Sequence, residues 1–275
     1  MSIVIAKIIG DYFDIRSDSR VTDPNLVKGD MLTGILKSVI INENLCISFA
    51  GGVLDAQNAL KFILQKQFVD INNIIGYLLK INRETDFGTE FIISYITIST
   101  KDIIKISNGV IENNLRTAWI GDYEAFRLFQ EQMILNETST NLTQQQKINN
   151  AFEYVLKNGN IETVGDYHIQ IGSPKNKFEY CIRLELTAGP QNFFGVGGRI
   201  SFGTAMNGSF GMSYLTSNKE KEYAIGVHFT HGNFGVLLYP MVSLSPIIIE
   251  NCNGQAFINR VYEKFNITIG GFILT

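Results

Sequence analysis

The chain has 275 residues, of which 45% are hydrophobic and 18% charged, with a formal net charge of −3. A chain of this length buries on the order of three quarters of its unfolded surface, so a core needs no disulfide or metal staple. The slight acidity argues against nucleic acid as a partner, because phosphate binding draws on a basic surplus. No apolar run approaches the roughly 18 uninterrupted residues of a membrane span, which argues against a membrane-embedded protein.

The apolar pattern begins at once. Ser2 to Ile9 is rich in β-branched residues and reads as a buried strand; a turn near Gly10-Asp11 returns the chain as a second strand over Tyr12 to Ser17. Asp18 to Gly34 is polar and loose. A second hairpin follows, from Ile35 to Ile41 and from Leu45 to Ala50, closed by Gly51-Gly52. From Asp55 the period changes: Ala56, Ala59, Leu60, Ile63 and Leu64 recur at helical spacing, and a second helix is predicted over 71–79. Strands are expected over 90–99, 102–107 and 117–120, and helices over 123–134 and 145–156, with a strand returning at 165–171.

After about Leu184 the chain becomes glycine- and aromatic-rich. It alternates over 198–202, 208–214, 224–230 and 234–239, the pattern of a meander of short strands, and a helix is predicted over 255–265. Strands alternating with helix pairs imply layered sheets with helices outside. The expected fold is α+β: a four-layer αββα sandwich of two antiparallel sheets over residues 1–183, with a β-rich C-terminal extension over 184–275.

Three cysteines, Cys46, Cys181 and Cys252, are far apart and form no C-x-x-C pair, so the expectation is buried thiols in a reducing compartment. The N-terminus lacks the charged and apolar regions of a signal peptide, and the expected location is cytoplasmic. His228 and His231 stand three apart on an expected strand, which sends them to opposite faces, so no metal site is expected there. No G-x-S-x-G elbow or G-x-G-x-x-G loop is present, and no cofactor is expected.

Four segments in succession carry a resemblance. They are Ser2-Ile-Val-Ile-Ala6; Asp18-Ser-Arg20 followed by Thr22; Lys37; and Ala50-Gly51-Gly52 followed by Asp55-Ala56. Together they resemble the start of a proteasome β-subunit or a bacterial proteasome-like relative, within the N-terminal-nucleophile (Ntn) hydrolase superfamily. That family begins its mature chain with Thr and a β-branched run, places D-S-R-x-T on the returning strand, then a Lys, then A-G-G-x-x-D-A leading into a helix. Further on, Ile120-Gly121-Asp122 is similar to the family's I-G-S strand-to-helix turn, and Asn160 to Gly165 stands where the family has D-x-x-S-G-G. The resemblance spans about residues 2–172; the last part of the chain matches no pattern.

The resemblance implies that Ser2, freed by removal of Met1, is the nucleophile and that its own α-amine is the base. An α-amine titrates near 7.7–8.0, so unlike a lysine it is partly neutral at cytosolic pH. Asp18 and Lys37 would be the charge pair beside it, with Ser38 the competitor of Lys37 in a shifted alignment, and Gly51 the oxyanion donor. Arg20, Asp122, Asn160 and Thr163 fall at supporting positions. Three departures stand out: Ser replaces Thr at the first position, Asp122 replaces a Ser, and Asn160 replaces an Asp. The implied activity is hydrolysis of a peptide or small amide, in a homo-oligomer. The alternative is a catalytically inactive member of the same fold that serves in assembly or binding.

Overall fold

The computed structural model describes residues 2–21, 34–66, 70–138, 141–158, 161–165, 167–188, 191–195, 198–202 and 209–274. The chain divides into two compact units, the first ending at Phe178 and the second taking in Glu179–Thr275 together with the residues just before Lys37.

In the first unit the strands are β1 (Ile3–Ile9), β2 (Tyr12–Asp18), β3 (Ser38–Asn42), β4 (Leu45–Gly51), β5 (Thr89–Ile96), β6 (Lys101–Ser107), β7 (Val110–Leu115), β8 (Thr117–Gly121) and β9 (His168–Gly172). The helices are α1 (Val53–Lys66), α2 (Ile71–Glu84), α3 (Tyr123–Glu137) and α4 (Gln144–Asn158). All the strand pairs are antiparallel. One sheet runs β9-β2-β1-β8 within this unit and the other runs β3-β4-β5-β6-β7.

The sheets meet through β1 and β8, which lie against β4 and β6, with β8 also touching β5. Alternation along β1 explains how. Ile3 and Ile5 point to one side, into a core with Ala125 and Phe129 of α3 and Ile148, Ala151, Phe152 and Val155 of α4. Val4 and Ala6 are as fully buried and belong to the opposite side, as period 2 requires. On the second sheet, α1 packs on β4 and β5, and α2 on β5 and β6. The fold is α+β, a sandwich-like arrangement of antiparallel sheets and helices.

Most expected elements are present, and the differences have local causes. α2 runs to Glu84 rather than 79 because its last inward position is Asn82, a polar residue that breaks the apolar pattern. Buried, it donates to the Thr89 carbonyl and accepts the Gly109 N–H, 2.7 Å each. β3 starts at Ser38 rather than 35, and a bulge between Ile40 and Asn42 shifts its register on β4. β7 has no buried face over Val110–Glu112, so it shows no alternation to read.

The second unit contains β10 (Glu179–Tyr180), β11 (Arg183–Ala188), β12 (Gln191–Gly195), β13 (Gly198–Phe202), β14 (Ser209–Ser217), β15 (Ala224–Phe229), β16 (Phe234–Tyr239), β17 (Ser243–Ile249) and α5 (Gly254–Phe265). β12 and β13 form a ribbon, and the main sheet runs β11-β14-β15-β16-β17. Asn253 caps α5 at its start, its side chain accepting from the Ala256 N–H, and Asn266 ends it in the left-handed conformation. The helix lies on β15 and β16. There Gly226 and Gly235 leave a notch for the Phe257 ring: a Cβ on either would intrude on that ring. Leu215, Leu237, Val261, Ile267 and Ile269 complete this core. β17 carries Pro246, admissible because it is an edge strand.

Cys46 and Cys252 are buried and Cys181 is half-buried. Burial pushes the Cys46 and Cys252 thiols up, which keeps them protonated and unreactive. His228 lies on β15 while His231 falls in the turn beyond it. Among the described residues no three His, Cys, Asp or Glu side chains group to hold a metal ion, and no helix is long and apolar enough to cross a membrane.

Candidate functional site

The site assembles around one peptide bond, that between Ser2 and Ile3. β1 is a central strand, flanked by β2 and β8, so the residue preceding it is set between the ends of both neighbours. Ser2 is 3% exposed.

On the N–H side of that bond stands Asp18, the last residue of β2. Its Oδ1 accepts the Ile3 N–H at 2.9 Å, and its Oδ2 accepts Lys37 Nζ at 2.8 Å. Both charged side chains are wholly buried. The Gly165 N–H also approaches Asp18 Oδ2, at 3.4 Å. Two buried charges away from water are tolerable only when paired and hydrogen-bonded, and this pair is both. Lys37 is held from behind, since its carbonyl accepts the Phe49 N–H of β4 at 2.9 Å.

On the carbonyl side stands Asp122. Its N–H donates to the Ser2 carbonyl at 2.6 Å. Its side chain does two further things: Oδ1 caps α3 by accepting the Ala125 N–H at 3.1 Å, and Oδ2 accepts the Thr163 hydroxyl at 2.7 Å. Gly121, just before it, has φ of +102° and presses so closely on the Ser2 carbonyl that a Cβ would collide with it. Only glycine suits that position, for conformation and space alike.

Gly51 ends β4 with φ of +95°, where a Cβ would collide with the Gly88 carbonyl; Gly52 donates its N–H to that same carbonyl at 3.0 Å. The neighbouring Ala50 Cβ lies 3.2 Å from where a Cβ on Gly121 would be, so the ends of β4 and β8 converge beside Ser2. Arg20 donates to the Ile161 and Glu162 carbonyls at 3.4 and 3.2 Å, which ties down the loop that presents Thr163.

Ser2, Asp18, Lys37, Asp122 and Thr163 are thus joined through hydrogen bonds, with Gly51 at the adjoining strand end and Arg20 behind the 161–163 loop. Asn160 lies outside the described residues. Ser38, the competitor of Lys37, bonds instead to the Ser48 hydroxyl at 2.8 Å, within its own sheet.

No family model matches this chain, and no curated protein matches its sequence. The site therefore stands on its own geometry.

One member of the constellation escaped the sequence: Glu90, whose Oε2 accepts the Gly121 N–H at 2.9 Å. Gly165, the last residue of the 160–165 stretch, supplies its N–H to Asp18. Glu90 sits on β5, opposite Ala50 in register, and nothing in its local sequence sets it apart from a surface strand residue.

Chemically, the arrangement grips the Ser2–Ile3 peptide from both sides, the N–H by a carboxylate and the carbonyl by a main-chain donor. It puts a lysine ammonium on the carboxylate that holds residue 3. Such an arrangement fixes the direction in which the residue-2 amine and hydroxyl leave the strand.

Proposed function

We propose that this protein is an N-terminal-nucleophile amide hydrolase, peptidase-like in its chemistry, using Ser2 after Met1 is removed. The observation that carries this reading is the buried Asp18 carboxylate shared between the Ile3 N–H and Lys37 Nζ. A buried lysine–aspartate pair aimed at the backbone of the first residues has no obvious value to packing, because an apolar pair of similar volume is often as stable. It does have value to an α-amine that must act as a base: a nearby ammonium lowers the amine's pKa by like-charge repulsion.

In this mechanism the Ser2 hydroxyl attacks the amide carbonyl while its proton passes to the α-amine. The oxyanion is met by the main-chain N–H at Gly51, a donor arrangement worth about 3–4 kcal/mol. The α-ammonium then protonates the leaving amine, the C–N bond breaks, and water hydrolyses the ester on Ser2. The packing of α1 and α2 on one sheet, α3 and α4 on the other, with the two sheets in contact, supports a four-layer αββα sandwich, the expected scaffold for this chemistry. A cytoplasmic location and a homo-oligomeric assembly belong to the same proposal.

The near-complete burial of Ser2 favours a second reading, a silent module of the same fold that serves in assembly or binding. Intact mass of the untagged protein separates the two. The hydrolase requires a chain lighter by one methionine, with amide cleavage that disappears in Ser2→Ala. Full retention of Met1 overturns it and leaves the silent module.

A further inference from the structure

Two side chains from outside the Ser2-bearing sheet reach the ends of its strands beside Ser2, and they carry opposite charges. Lys37 reaches Asp18, on the Ile3 N–H side. Glu90 reaches Gly121, on the Ser2 carbonyl side. The first pairs with the carboxylate that holds Ile3; the second holds the turn that faces the Ser2 carbonyl.

Its geometry is specific. Glu90 is paired with Ala50 across β4 and β5, and paired residues on neighbouring strands project to the same face. That face is the one turned toward β8, as the approach of the Ala50 Cβ to Gly121 shows. From there the half-buried carboxylate crosses to the other sheet and accepts a main-chain N–H, not a side chain. Gly121 and Asp122 are consecutive, and their two N–H groups are divided: the first goes to Glu90, the second to the Ser2 carbonyl. Gly121 itself stands opposite Ile3 and touches the Ser2 carbonyl oxygen. A displacement of the Gly121 peptide therefore moves the group that holds Ser2.

We infer that Glu90 is a positioning residue for the Ser2 nucleophile. It acts through the Gly121–Asp122 turn, as a hydrogen-bond acceptor that locks this turn against the Ser2 carbonyl. The inference rests on the hydrolase reading and deepens it. The carboxylate touches no reacting atom. Its part is to keep the hydroxyl and amine of residue 2 in the attack geometry, where a misplacement of about 1 Å costs on the order of a hundredfold in rate.

The test uses full-length protein lacking Met1 and a peptidyl β-lactone as probe. Attack by the Ser2 hydroxyl forms an ester on Ser2, breaks the ring C–O bond, and delivers the hydroxyl proton to the ring oxygen; the adduct is followed by intact mass. The expected result is that Glu90→Ala lowers the maximal rate of acylation about 10- to 100-fold while the half-saturating probe concentration changes little. Glu90→Gln, which keeps an acceptor for the Gly121 N–H without the charge, recovers most of that loss. Should Glu90→Ala fold poorly, Glu90→Leu, which fills similar space without an acceptor, takes its place against Glu90→Gln, with thermal unfolding confirming that both are native. If wild type is labelled at Ser2 and Glu90→Ala acylates at an unchanged rate, the inference is overturned while the hydrolase stands. A Glu90→Gln variant as impaired as Glu90→Ala also overturns it, because charge and not the acceptor would then matter. If wild type itself is unlabelled and Ser2→Ala behaves identically, the hydrolase reading falls and takes the inference with it.

Discussion

Strand β2 carries two buried acid–base pairs four residues apart, and they are built differently. Asp14 and Arg16 form a closed set. Arg16 Nε and Nη2 grip the two Asp14 oxygens at 2.7 and 3.1 Å, Arg16 Nη1 donates to the Asn149 side chain at 2.6 Å, and Gln170 donates to Asp14 at 3.3 Å. Every one of these bonds joins side chain to side chain, in the seam between the sheet and α4. Asp18 and Lys37 form an open set: of the three donors to Asp18 among the described residues, two are main-chain N–H groups, of Ile3 and Gly165. A planar guanidinium suits the closed pair because its fork matches one carboxylate. A lysine suits the open pair because a point charge occupies one oxygen and leaves the other to the backbone. The lesson is that burial of an ion pair says little about purpose; what its remaining lone pairs hold says more.

Breaking the open pair is expected to have the largest effect. Lys37→Met leaves the Asp18 carboxylate buried without its counter-charge, at a cost of about 3–5 kcal/mol in unfolding free energy. It also lowers acylation of Ser2 by a lactone probe at least a hundredfold in the protein that remains folded. Denaturant titration and labelling kinetics measure the two effects separately.

Breaking the closed pair sharpens the contrast. Arg16→Met is expected to cost a similar 3–5 kcal/mol, because it strands Asp14 in the same way. Acylation per folded molecule should stay within a few-fold of wild type. A hundredfold loss of labelling in this variant would erase the distinction between the two sets.

The smallest effect concerns a buried base with no counter-charge among the described residues, in the second unit. His228 Nε2 bonds to the Cys252 carbonyl at 2.9 Å, so Nε2 carries the hydrogen, and its Nδ1 has no partner among the described residues. Burial pulls its pKa down from the ordinary 6.5. The unfolded chain then binds a proton at a pH where the folded one does not. The stabilisation is therefore complete above about 6.5, declines as pH falls below that value, and levels off once pH has passed the lowered native pKa. Thermal unfolding between pH 7 and pH 5 should show this slope, reduced in His228→Gln.

Much of the first unit was legible because its elements alternate or repeat cleanly. The hairpins of β1–β2 and β3–β4 and the Ala56–Ile63 stripe of α1 follow from apolar period alone. The second unit was less so: β11, β12 and β17 were not foreseen, and in β17 the proline at 246 masked a strand that lies at an edge. The site divides in the same way. Asp18, Lys37 and Asp122 were readable because they stand at the ends of predictable strands, in a pattern similar to a known family's. Glu90 was not, since its part depends on a pairing with Ala50 and an approach to Gly121 that no local stretch encodes.

The pairing of Ile3 with Gly121 also carries a consequence for timing. β1 can pair with β2 early, but its other flank waits for β8, more than a hundred residues later, and contacts so distant in sequence form slowly. Through that interval Ser2 lacks the Asp122 N–H that grips its carbonyl and is open to an aminopeptidase. Once β8 docks, Ser2 is enclosed and that access closes. If Ser2 is the nucleophile, trimming must win a race against folding. A variant that folds faster would then be a worse enzyme, with every catalytic residue intact and its first amine still blocked.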